Sequence, residues 1–181
     1  MNIFISGGCK NGKSYYAQKR AKEMAESLQK PLYYIATMIP RDEEDRARIR
    51  RHLAERDGWG FETIEQPTNL TAILENPSVD KEGVFLLDSV TAIMENELFR
   101  QEEGEFVYDE TAPGRVRRDM EAFAKATGNT VFVSDGIYGD LGEYSDSTEE
   151  YRKALAAADR TLARTCDQVV EITYGIEEIW K

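Results

Sequence analysis

The sequence predicts an α/β fold of P-loop type: a mainly parallel sheet flanked by helices, closed by a C-terminal β-hairpin. Short apolar runs of strand length alternate with segments whose apolar residues recur at helical spacing. The first such run, Ile3-Phe4-Ile5, leads into Gly7-Gly8-Cys9-Lys10-Asn11-Gly12-Lys13-Ser14, which fits the pattern Gly-x4-Gly-Lys-Ser. The last two runs, 169–172 and 176–180, are joined across Tyr174-Gly175, a pair suited to a tight turn.

The elements follow in order. After the first strand, Ala17, Ala21, Met24, Ala25 and Leu28 mark an amphipathic helix. Pro31 resets the backbone, and Leu32 to Ala36 read as a buried strand. Residues 42–57 predict a charged helix, acidic at its start and arginine-rich after, the order the helix dipole favours. Gly58 and Gly60 break it, Phe61 to Ile64 alternate as a short strand, and a modest helix is expected from Thr68 to Asn76. Val84-Phe85-Leu86-Leu87 is a strand ending in Asp88, with Val90, Ile93, Met94 and Leu98 at helical spacing beyond it. Residues 101–110 are acidic and read as a solvated loop. A helix through Met120 and Phe123 leads to a strand at 130–134, an irregular loop over 135–148, and a long helix marked by Tyr151, Leu155, Ala158 and Leu162.

The glycine-rich loop has a mechanism. Its glycines let successive N–H groups curl around a phosphate at the positive end of the helix that follows. Lys13 reaches the β- and γ-phosphates, and Ser14 holds a magnesium ion. Asp88 has the form of the acid that shares this ion, although a helix cap for the segment after Ser89 is the alternative. His52 is the sole histidine, with Arg48 and Arg56 four residues to either side on one helical face. An arginine face with one imidazole suits a nucleophile at a phosphate; an ordinary histidine on a solvated arginine helix is the other reading.

The chain has 181 residues, suited to one domain over 1–181, and a formal charge of −11. That charge argues against a nucleic-acid surface. No run reaches the length of a membrane span, so no membrane anchor is expected. Cys9 and Cys166 match no metal or redox spacing, and a thiol inside a phosphate loop suits the cytoplasm.

Several segments together resemble a known family. They are the loop at residues 7–14, Tyr34-Ile35-Ala36-Thr37, Ala47-Arg48-Ile49-Arg50-Arg51-His52, Thr63-Ile64-Glu65, and Leu86-Leu87-Asp88 with Thr91. In order and spacing they are similar, from residue 3 to about 99, to the bifunctional adenosylcobinamide kinase / adenosylcobinamide-phosphate guanylyltransferase of cobalamin biosynthesis. The resemblance implies that His52 carries GMP covalently. It implies nucleotide contacts from the loop Gly7, Gly8, Cys9, Lys10, Asn11, Gly12, Lys13 and Ser14, and from Ala36, Thr37 and Met38. Leu53, Ala54, Glu55, Arg56, Glu65 and Asp88 complete that implied set. It further implies GTP and ATP with Mg2+, a corrinoid small-molecule substrate, and a homo-oligomer, in the family a trimer. The second half resembles the family less. Where many members carry Asn-Glu-Val-Gly this chain reads Ser134-Asp135-Gly136-Ile137, and where they hold Asn-Gln it has Asp159-Arg160. Asp135 either stands in for the missing glutamate or is a plain loop acid. A P-loop kinase of another metabolite and a non-catalytic nucleotide-binding protein are the competing functions.

Overall fold

The computed structural model describes residues 1–102, 105–139 and 142–181. Among them, seven strands form one sheet: β1 (Ile3–Gly7), β2 (Leu32–Ala36), β3 (Glu62–Glu65), β4 (Val84–Asp88), β7 (Thr130–Asp135), β8 (Gln168–Thr173) and β9 (Ile176–Ile179). Their spatial order is β3-β2-β4-β7-β1-β8-β9, and every neighbouring pair is parallel except β8 with β9. The apolar runs become strands because both faces of the sheet are covered, so no alternation with polar residues is needed. The C-terminal hairpin turns at Tyr174 and Gly175, both with positive φ, a pairing that matches the twist of the flanking strands.

Helix α1 (Lys13–Leu28) covers one face, packing Ala17, Ala21, Met24 and Ala25 onto Ile3, Ile5, Leu86 and Val133. Its small residues let the helix lie close to the strands. The opposite face carries α3 (Val90–Leu98), α4 (Ala112–Thr127) and α5 (Asp146–Thr165), with Phe85, Phe123 and Phe132 fully buried among them. The two layers bury most of the large apolar residues, the dominant stabilising term for a chain of this size.

Three expectations are corrected. The stretch expected as a solvated loop, 101–110, carries strand: β5 (Phe99–Glu102) and β6 (Glu105–Tyr108) form an antiparallel ribbon, residues 103 and 104 lying outside the described ones. Phe99 opposes Tyr108 with ring centroids 5.7 Å apart, a cross-strand aromatic pair that offsets the poor strand propensity of the glutamates. The helix expected after Thr68 is a 3-10 turn, Leu70–Glu75, anchored by Leu70 and Ile73. The charged helix α2 is shorter than expected, Glu43–Glu55, because Asp42 is its N-cap, accepting from the Asp45 N–H.

Candidate active site

The parallel strands bring their carboxyl ends to one rim, where ligands of such sheets bind. At the end of β1, Gly7 lies in register with Asp135 on one side and Ile172 on the other. A Cβ on Gly7 would fall 2.3 Å from the Ile172 carbonyl oxygen, so only glycine lets the loop leave the sheet here. The chain then turns through Lys10 and Gly12, both left-handed, into α1. That helix has no side-chain cap and no acid in its first turn. By contrast α2, α3 and α5 are capped by Asp42, Ser89 and Ser145. The first-turn donors of α1 are thereby left for an anion.

Lys13 folds back over this loop and is only 6% exposed. Its Nζ donates to the Gly8 carbonyl at 2.7 Å and lies 2.8 Å from Asp135 Oδ1. Asp135 is itself held by its backbone N–H, which donates to Thr91 Oγ1 at 2.9 Å. Directly behind, the Tyr138 hydroxyl donates to Asp159 Oδ2 at 2.9 Å. Burial pushes Asp159 up to about 6, opposed by the hydroxyls of Ser134 and Tyr138 and reinforced by the Asp135 charge.

Asp88 ends β4, two strands from the loop. It accepts from the Tyr34 hydroxyl at 3.3 Å and lies near the Ser14 hydroxyl. Desolvation raises its affinity for a proton; the Ser14 and Tyr34 hydroxyls and the nearby His52 imidazole oppose that rise, and Asp135 adds to it. Burial also raises Tyr34 far above the usual phenol range, so it stays a neutral donor. A clasp fixes the neighbouring backbone. Thr37 Oγ1 accepts from the Ser89 N–H at 2.8 Å and donates to the Ser89 carbonyl at 3.1 Å, while Asn96 donates to the Thr37 carbonyl at 2.7 Å.

The far wall is α2. Asp45, Ile49, His52 and Arg56 are its less exposed residues, spaced so that one stripe turns inward. Arg56 anchors the end of that stripe. Its guanidinium lies 3.8 Å from the centroid of the Tyr34 ring and donates to Thr63 Oγ1 at 3.2 Å and to the His52 carbonyl at 3.4 Å. Between this stripe and the strand ends is a cavity of about 570 Å³, the size of a small-ligand pocket.

Of the residues singled out from sequence, Ser14, His52, Arg56 and Asp88 line this cavity together. Ala36, Thr37, Met38 and Glu65 form its floor and side. The rest of the loop, Gly7 to Lys13, adjoins it through Ser14. Leu53 and Ala54 are exposed on the outer side of α2 and do not reach it. The side chain of Glu55 lies outside the described ones. Tyr34 went unnoticed as more than a packing residue; its alternation with Ala36 on the strand that pairs with Asp88 was the available signal. Asp159, noted from sequence only as a departure from the family, sits four residues after Leu155 and three before Leu162 on the apolar stripe of α5, which was the signal for its burial.

Ser14 and Asp88 offer one hydroxyl and one carboxylate to a cation, and the described residues hold no cluster of three acidic, histidine or cysteine ligands. That donor set suits Mg2+, which binds through one or two carboxylates plus phosphate oxygens and water.

A sequence model of the CobU family, cobinamide kinase / cobinamide phosphate guanyltransferase, matches residues 3–178. The chain belongs to this family. It is therefore an enzyme of cobalamin biosynthesis with kinase and guanylyltransferase chemistry on a corrinoid substrate. The CobU match spans the second half as well, where the resemblance read from residues was weaker. No functionally curated protein matches significantly. Among solved structures, the flagellar accessory protein FlaH from Methanocaldococcus jannaschii superposes with a TM-score of 0.50 at 14% identity, covering 99% of this chain and 77% of that one. The ATPase domain of G40P gives 0.49 at 12% identity, over 94% and 68%. A KaiC-like protein from Pyrococcus horikoshii OT3 gives 0.47 at 14% identity, over 94% and 69%. At such identities the FlaH likeness speaks for the fold alone.

Proposed function

We propose that this CobU-family chain, acting as one P-loop domain, uses the loop and the α2 wall for two successive reactions on one corrinoid. In the first, the hydroxyl of the cobinamide side arm attacks the γ-phosphorus of ATP or GTP, with Lys13 and the α1 N-terminus offsetting charge on the phosphates. Mg2+ held by Ser14 and Asp88 would supply further charge neutralisation at those phosphates. In the second, an imidazole nitrogen of His52 attacks the α-phosphorus of GTP. An N–P bond forms, the bond to the pyrophosphate oxygen breaks, and pyrophosphate leaves. A phosphate oxygen of cobinamide phosphate then displaces the histidine, giving the GDP-linked corrinoid and restoring the free ring. Arg48 and Arg56 flank His52 and offset the negative charge that develops at phosphorus.

One observation carries this reading: His52 lines the same cavity as Ser14 and Asp88. Incubation with α-labelled GTP tests it. The expected result is label that survives denaturation in the wild type and is absent from His52→Ala, while transfer of γ-label to cobinamide persists in the variant. A wild type that phosphorylates cobinamide yet never takes up α-label would overturn the covalent step and leave a plain kinase.

A further inference from the structure

We propose that Asp135 is the proton acceptor of the kinase reaction, held by Lys13 until a nucleoside triphosphate takes the lysine over. The inference rests on reading the P-loop as the kinase nucleotide site. Lys13 can serve one anionic partner fully at a time, and in the nucleotide-free chain that partner is Asp135, at 2.8 Å. A triphosphate in the loop presents several negative oxygens to the same ammonium group and outcompetes a single carboxylate. Asp135 is then left beside the terminal phosphate with its lone pairs available.

Two other acids near the rim have partners of their own. Asp88 accepts from Tyr34 at 3.3 Å, and Glu95 is paired with Arg41 at 2.8 Å. Among the described residues, Asp135 alone is an acid in ion contact with the loop lysine. Its backbone is fixed by Thr91 and by its register with Gly7, so the carboxylate keeps its place when the ion pair opens. It also faces a second cavity, about 230 Å³, bounded by Thr91, Asn96, Ile39 and Arg41. That cavity shares Met38, Ile39, Arg48, Ser89 and Ala92 with the one His52 lines, and it gives an alcohol on a flexible arm a way to the γ-phosphate beside Asp135.

The step balances. The alcohol oxygen bonds to the γ-phosphorus, the bond from that phosphorus to the β,γ-bridging oxygen breaks, and the electron pair leaves with the nucleoside diphosphate. The hydroxyl proton passes to the Asp135 carboxylate and then to water.

Because both reactions use one loop, the enzyme holds its own control. In Asp135→Asn, cobinamide phosphorylation by ATP is expected to fall by about 10²–10³-fold, the usual worth of a general base. Uptake of α-label from GTP and affinity for a fluorescent GTP analogue should stay within about threefold, since neither needs a base at this position. Asp135→Glu, which keeps the carboxylate, should recover at least about a tenth of wild-type phosphorylation. Kinase turnover within about threefold of wild type in Asp135→Asn would overturn the proposal. So would a parallel loss of labelling and affinity, which would make Asp135 only a support for the loop. A wild type with no kinase turnover would instead overturn the kinase reading itself.

Discussion

The loop at Gly7–Ser14 leaves a strand with parallel neighbours on both sides, whereas α2, which carries His52, turns only a narrow stripe toward the body of the protein. On the loop side, position follows from the sheet: Gly7 is pinned between Asp135 and Ile172, Lys13 is held by a 2.8 Å contact with Asp135, and Asp88 accepts from Tyr34. On the α2 side, most residues from Arg41 to Ala54 are exposed, and the helix end depends on one guanidinium stacked on Tyr34. On the proposed reading, grip on the phosphates is thus built into the fold, and the reach of the imidazole is set by few contacts. The kinase half should tolerate changes in α2 that the guanylyl half does not.

The largest effect tests whether the loop is shared. Lys13→Ala should depress both cobinamide phosphorylation and His52 labelling by about 10³-fold, because each reaction loses the same charge at the phosphates. A variant that lost one reaction alone would separate the two sites. Next, Arg56→Ala removes the stack on Tyr34 and the bond to Thr63. Guanylyl transfer should drop about 10–100-fold, the cost of a misplaced reacting group, with phosphorylation nearly unchanged. Equal losses in both assays would mean that α2 supports the loop as well.

The smallest effect concerns the ground beneath the loop. Asp159 is buried against Tyr138 and pushed up to about 6. Its folded form therefore prefers the proton. The resulting stability is present below the ordinary aspartate range near pH 4 and is lost as pH rises through about 6. Asp159→Asn, neutral throughout, should melt above the wild type at pH 8 by roughly 5 °C, from on the order of 2–3 kcal/mol. The gap should close near pH 4, and thermal unfolding across that range would check it. A gap independent of pH would show that the carboxyl titrates alike in the folded and unfolded chain, so that burial does not shift it.

The same contrast governs what could be read from the chain. The loop and the strands were legible because their signals are contiguous: apolar runs, fixed glycines, a lysine and a hydroxyl at set spacing. The β5–β6 ribbon was not, because glutamates mask the alternation of Phe99, Phe106 and Tyr108. At the site, His52 and Arg56 were readable as one helical face. Lys13 with Asp135 spans more than a hundred residues, and Tyr138 with Asp159 joins a loop to a helix. Such pairings arise only once the strands are ordered side by side. Leu53 marks the limit of the family parallel: it adjoins His52 in sequence but points to solvent.

The clasp between Thr37 and Ser89 stops the second strand abruptly, and only residues 38–42 bridge from there to the first turn of the arginine helix. On the proposed covalent route, the length of this short strap limits where the imidazole can lie. Lengthening it by a residue or two would leave every phosphate contact intact while letting the ring drift out of range. By that proposed route, an insertion here would cost the chain nucleotidyl transfer without touching the loop.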